Sequence, residues 1–130
     1  MDHSGSTPPR TPGDLKQEIL RVYNAVNQGI AGVGVSRQRV DLVGDRILIL
    51  AKHQRVKSLA ALDSAHREIT REVDVALLDE GKRRLAQELK DKIGLAVRVV
   101  LKDYDPSTEI AATVVVLDAP LVLTETRRHP

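Results

Sequence analysis

Apolar and polar positions alternate with a period of two at the start of the stretch 39–51, RVDLVGDRILILA. Val40 and Leu42 alternate with Arg39 and Asp41; Gly44-Asp45 interrupts; Ile47-Leu48-Ile49-Leu50 is then apolar without a break. A period of two predicts a half-buried strand, and a short unbroken apolar run predicts a strand buried on both faces. Gly-Asp between two such runs predicts a two-residue hairpin turn, because glycine supplies the positive φ that a primed turn needs.

Elsewhere the period changes to that of a helix. Leu15, Ile19, Val22, Tyr23, Val26 and Ile30 share one helical face and predict a helix over 15–28. Asp14 and Gln17 have capping-box spacing at its start, and Gly29, Gly32 and Gly34 mark its end. After the hairpin, Leu59, Leu62, Ile69, Val73, Leu77, Leu85, Leu89 and Ile93 predict a short helical turn over 58–62 and a long helix over 64–92. Ser58 or Asp63 would cap its start. From Ile69 to Ile93 the stripe advances in steps of four, with Gly81 inside it and Gly94 closing it. Strands are predicted over 96–102, where Val97, Val99 and Leu101 alternate with Ala96, Arg98 and Lys102, and over 109–118, around Val114-Val115-Val116. The loop 103–108 between them carries Asp and Pro in their usual turn roles.

The order is α-β-β-α-β-β. The simplest closure is an α+β domain over 14–118: a four-stranded, mainly antiparallel sheet packed on two helices, the second long. Residues 1–13 are Ser-, Pro- and Gly-rich and read as a disordered tail, and 119–130 as a C-terminal tail. Two helices on one face leave the other face of an apolar sheet without cover, and large apolar patches are seldom exposed on monomers. A homodimer through the open sheet face or the long helix is therefore expected, with Ile47, Ile49, Val114 and Val116 as the candidate sheet residues. The alternative is that the first helix covers the second face.

Composition narrows the function classes. The 130 residues contain no cysteine, which removes disulfides, thiolate catalysis and cysteine zinc sites. No run approaches the ~18 apolar residues of a membrane span, and the first residues lack the apolar segment of a secretory signal, so a cytoplasmic location is expected. A net charge of +2 is too small to imply nucleic acid, and 2% aromatics leave few stacking platforms for single strands. The one basic run by the hairpin is KHQRVK, 52–57. Its bland reading is a solvated connection. Its sharper reading is a contact for an acidic partner or an anion through Lys52, His53, Arg55 and Lys57. Of the four histidines, His53 is the candidate for a pH-sensitive group; His66 belongs to the solvated face of the long helix, and His3 and His129 to the tails. Asp103-x-Asp105-x-Ser107 begins like a calcium loop but continues with Thr108 and Val114 where glycine and glutamate are required. Gly32-Val33-Gly34 leads from helix to strand, the reverse of a dinucleotide fingerprint. No catalytic set, cofactor site or metal site can be assembled, so the chain reads as non-enzymatic.

With these elements laid out, the chain resembles the MpsC-like domain, a component of a sodium-translocating, membrane-potential-generating system. The resemblance covers about residues 17–118. It rests on Gly32-Val33-Gly34 before the first strand and the Gly-Asp hairpin VDLVGDRILIL. It rests also on Ile69-Thr70-Arg71-Glu72-Val73 and Glu88-Leu89 through Ile93-Gly94 in the long helix, and on the closing VRVVLKDYDPSTEIAATVVVLD. Val35 stands where that family has proline, and Glu109 where it has glycine. The resemblance implies a small cytoplasmic interaction module, accessory to a membrane ion-translocating or inorganic-carbon transport system, with an unidentified protein partner. Two alternatives stand beside it: a nucleic-acid or ribosome-associated factor, from the pI near 9.1 and the clusters 52–57 and 82–84, and a small-ligand or anion sensor working through His53.

Overall fold

The computed structural model describes residues 10–124. Along them run α1 (Pro12–Ala31), β1 (Val35–Val43), β2 (Arg46–His53), α2 (Lys57–Leu62), α3 (Arg67–Ile93), β3 (Val97–Asp105) and β4 (Ile110–Leu117). The expected α+β architecture is present: a four-stranded sheet in the order β1-β2-β4-β3, every neighbouring pair antiparallel, with the long α3 and α1 packed on it. The tail positions 1–9 and 125–130, His3 and His129 among them, lie outside the described residues.

α1 begins earlier than its apolar spacing suggests. Thr11, not a capping box, closes its start: the Thr11 hydroxyl accepts from the Asp14 backbone N–H at 3.1 Å, and Pro12 follows in the first helical position. Asp14 instead lies in the first turn, where its charge suits the positive end of the helix dipole. Gly32, at φ 68°, ends the helix in the left-handed conformation that glycine adopts without strain. Leu15, Ile19, Val22, Tyr23 and Val26 are buried against Leu85, Leu89 and Ile93 of α3 and against the sheet.

α3 corrects a second expectation. Neither Ser58 nor Asp63 caps a helix start: Asp63 lies at the C-terminal end of α2, and α3 starts at Arg67 without a side-chain cap. Its stripe in steps of four does not stay on one side, because each step of four residues turns about 40° beyond a full revolution. Gly81, Leu85, Leu89 and Ile93 are buried, whereas Ile69 is 57% exposed. Only the C-terminal half of the stripe therefore belongs to the core.

The sheet has two unlike faces. On β2, Ile47 and Ile49 are fully buried under the helices, but Leu48 is half-buried and Leu50 is 44% exposed. The reading of this strand as covered on both faces does not hold for the single chain: both helices lie on the same side and nothing among the described residues covers the other. β3 brings a further correction. Val97 pairs with Leu117 and Val99 with Val116, so Arg98 is an extra residue in a bulge. The bulge inverts the alternation. Val99 and Leu101 turn to the open face, and Val100, Lys102 and Tyr104 turn toward the helices. Beyond β4, Leu121 and Leu123 pack on the core, and Arg10 bridges to Leu123 in parallel.

Candidate functional site: a polar corner under the helices and an open apolar face

The inward positions of β2 are Ile47, Ile49, Ala51 and finally His53; those of β3 are Val100, Lys102 and Tyr104. The apolar core therefore gives way to a polar corner at one end of the covered face. α1 contributes Tyr23 and Asn27, one turn apart on the same side. The Tyr23 hydroxyl meets Nε2 of His53. The Tyr104 hydroxyl donates to the His53 carbonyl at 2.9 Å. Lys102 donates through Nζ to Oδ1 of Asn27 at 3.1 Å, and its ammonium stands 5.0 Å from the centre of the Tyr23 ring. Asn27 in turn donates through Nδ2 to the Tyr23 carbonyl at 2.7 Å. With the amide reversed, neither bond could form, so the oxygen is fixed toward the lysine.

Burial governs the protonation of this corner. It lowers His53 to about 4, with the Lys102 charge adding to the effect. It lowers Lys102 to about 8. It raises the Tyr23 hydroxyl to about 12, the adjacent Thr113 hydroxyl opposing. His53 is thus neutral at physiological pH, and the corner's charge there is carried by Lys102.

Arg55 lies across the same cavity and is treated differently. Its guanidinium is 8% exposed; it donates to both Asp63 oxygens, at 3.0 and 2.8 Å, and to Asp74 at 2.6 Å. Arg67 approaches the same aspartates at 3.8 and 3.4 Å. The Asp63 pair holds Arg55 firmly protonated, and Arg55 holds the Asp63 carboxyl down to about 2. Glu109 fixes the backbone here. At φ 63° it occupies a conformation better suited to glycine. Its carbonyl accepts from the His53 N–H at 2.8 Å and its Oε2 from the Arg55 N–H at 2.6 Å. Asn27, His53, Arg55, Asp74, Lys102 and Tyr104 line a half-open cavity of about 70 Å³, with Ile30, Val33, Leu59, Leu77 and Leu78 on its apolar side.

The basic run KHQRVK is therefore dispersed by the structure. His53 faces the cavity, Arg55 is committed to its aspartates, Lys52 faces the open side of the sheet 3.8 Å from Glu109, and Lys57 is exposed on α2. The four do not form one contact. The sequence pattern marks Tyr23 only as a core position and Lys102 only as a solvent-facing one, and does not mark Asn27 or Asp74. The signal for Lys102 was present as its spacing from Val100 and Tyr104, but the bulge at Arg98 masks that phase. His66 is exposed at the start of α3, and Arg83 and Arg84 share Glu80, each at 2.6 Å.

The open face carries four cross-strand rows. They are Ser36, Lys52, Ile110 and Asp105; Arg39, Leu50, Ala112 and Asp103; Asp41, Leu48, Val114 and Leu101; and Val43, Arg46, Val116 and Val99. Apolar residues hold the middle, with Leu101 54% and Ile110 56% exposed. Of the four candidate sheet residues, Val114 and Val116 lie here, half-buried, whereas Ile47 and Ile49 are core under the helices. No helix among the described residues is long and apolar enough to cross a membrane. No family model matches the chain, and neither does a curated protein or a solved structure.

Proposed function

We propose that the chain is a non-enzymatic interaction module that pairs with a second copy through the open face of its sheet. The observation that carries this reading is the continuous apolar band of Leu48, Leu50, Val114, Val116, Val99 and Leu101, which no other part of the described chain covers. Four strands spaced by about 4.8 Å, over about eight residues of length, give roughly 500 Å² per copy. Two copies together then bury about 1,000 Å², the lower bound for a specific interface, so a dimer in concentration-dependent exchange with monomer is expected.

Charge selects the arrangement. A two-fold axis parallel to the strands lays β1 over the partner's β3 and β2 over its β4. Each row then meets the same row reversed: Arg39 comes opposite the partner's Asp103, Leu48 opposite the partner's Val114, and no like charges meet. An axis perpendicular to the strands would instead bring Arg46 against the partner's Lys52. The two sheets pack in the aligned class.

Sedimentation velocity across a concentration series tests the proposal. Dimer is expected for the unaltered chain, and folded monomer for Leu101→Asp. Arg39→Asp and Asp103→Arg should each weaken the dimer, and the double exchange should restore it. A chain that is monomeric at every concentration, or a dimer indifferent to Leu101→Asp, would overturn the reading. The resemblance to the MpsC-like domain extends it: the dimer serves as a cytoplasmic accessory to a membrane ion-translocating or inorganic-carbon transport system. Recovery of such a component with the chain from native membranes is the corresponding test.

A further inference from the structure

We infer that the cavity beside Lys102 is a binding site for a short monocarboxylate of the size of acetate or propionate. The argument starts from the contrast between two cations on one cavity. Arg55 is neutralised by Asp63 and Asp74, whereas Lys102 has no carboxylate within ion-pair distance among the described residues. Its hydrogen-bond partner is the neutral Asn27 oxygen, and beneath it lies the face of Tyr23. Both orient the ammonium and neither cancels its charge. The Asn27 amide is pinned by the Tyr23 carbonyl, so the lysine is held in place and two of its N–H bonds remain for a ligand.

The remaining walls define that ligand. The volume of about 70 Å³, several times the ~10–15 Å³ that one water needs, admits a carboxylate with a few carbons beside it. Ile30, Leu77 and Leu78 offer an apolar surface that suits a methyl or ethyl group and gives nothing to a second charged oxygen cluster. Asp74 also lines the cavity, so a second negative charge on the ligand would be disfavoured there. A single carboxylate on the ammonium with a short apolar tail satisfies all three conditions. Burial already lowers Lys102 to about 8, so binding should fall as pH rises through that region. Arg55 and Asp63 keep their charges over this range, His53 stays neutral, and burial keeps the Tyr23 and Tyr104 hydroxyls protonated.

Thermal unfolding of the full chain at pH 7, with sodium acetate, propionate, chloride and phosphate at matched ionic strength, tests the site. Acetate and propionate should raise Tm saturably. Lys102→Met should weaken this binding about 10- to 100-fold, the effect of losing a charge-assisted hydrogen bond. Lys52→Met should leave it intact. Asn27→Asp keeps Lys102 but supplies an internal carboxylate, and should abolish binding in a chain that still folds. Absence of a saturable carboxylate effect would overturn the inference. So would an equal effect from chloride or phosphate, or one that survives both Lys102→Met and Asn27→Asp. Leu101→Asp, which tests the dimer, should not alter carboxylate binding, so the two readings fail separately.

Discussion

The two faces of the sheet are made from nearly the same residues and behave oppositely. On the covered face, Ile47, Ile49, Val100 and Val115 are buried by α1 and α3 of the same chain. On the open face, one residue along each strand, Leu48, Leu50, Leu101 and Val114 receive no such cover. Apolar side chains alone therefore do not decide burial; the side on which the helices land does. The polar content differs in the same way. The open face keeps its charges at the rim, while the covered face gathers Lys102, His53 and Tyr104 into one corner.

The sharpest way to break this comparison is to place the same charge on each face. Ile49→Asp buries a carboxylate whose cross-strand neighbours, Val40 and Thr113, offer at most a hydroxyl and no cation. It should cost about 4–5 kcal/mol or more, most of the stability of a domain at the lower end of the usual range of about 5–15 kcal/mol. Leu101→Asp adds the same charge where water reaches it, and should change the unfolding midpoint of the monomer little. Circular dichroism of both variants decides it: equal loss of structure would mean that the faces do not differ.

Next in size is the neutralised half of the polar corner. Arg55→Ala leaves Asp63 and Asp74 with only the half-exposed Arg67, at 3.8 and 3.4 Å, as their common cation, and should destabilise by about 3 kcal/mol. Adding Asp74→Asn removes one of the stranded charges and should recover part of the loss. Denaturant unfolding measures both. A loss below about 1 kcal/mol for Arg55→Ala would mean that this network behaves as an exposed surface pair.

How much of this was legible beforehand follows from the same features. The strands, both main helices and the antiparallel order were readable, because periods of two and of about four survive in the sequence whatever the tertiary contacts. The faces were not all readable. Arg98 adds one residue to β3 and reverses the phase that assigns Lys102 to solvent. The i+4 stripe of α3 looked uniform although it winds off the core before Ile69. Lys102 and Asn27 are separated by 75 residues, so no local pattern joins them. Arg55 looked like part of a basic run, since its aspartates, eight and nineteen residues on, give no local sign of the pairing.

The unneutralised half of the corner should show itself in the pH dependence of stability. Lys102 binds its proton less tightly in the folded chain, at about 8, than in the unfolded chain, at 10.5. Between those values the unfolded chain holds more protons, so folding becomes more favourable as pH rises. The buried ammonium therefore lowers stability below pH 8, by an amount on the order of 3 kcal/mol. Above pH 10 the buried Tyr23 hydroxyl, held at about 12, opposes the gain. Lys102→Met should thus stabilise the chain at pH 7 by about 2–3 kcal/mol, and should remove the rise between pH 8 and pH 10. Unfolding midpoints at three pH values suffice. Parallel profiles for the two chains would show that Lys102 is solvated, and the covered face would then have no charged corner.

The smallest effect asks whether that corner is only packing. A Cβ on Gly81 would stand 3.9 Å from Ile30 Cδ1 and 3.9 Å from Lys102 Nζ, ordinary contact distances. Gly81→Ala should therefore be accommodated and should raise stability by up to about 1 kcal/mol through helix propensity alone. The new methyl lies against the lysine that the proposed carboxylate needs. If the corner is simply core, stability rises and nothing else changes. If the corner is a site, stability rises while acetate loses part of its effect on Tm, because the methyl narrows the space beside the ammonium. The two measurements on one variant separate filling a gap from blocking a ligand, which stability alone cannot do.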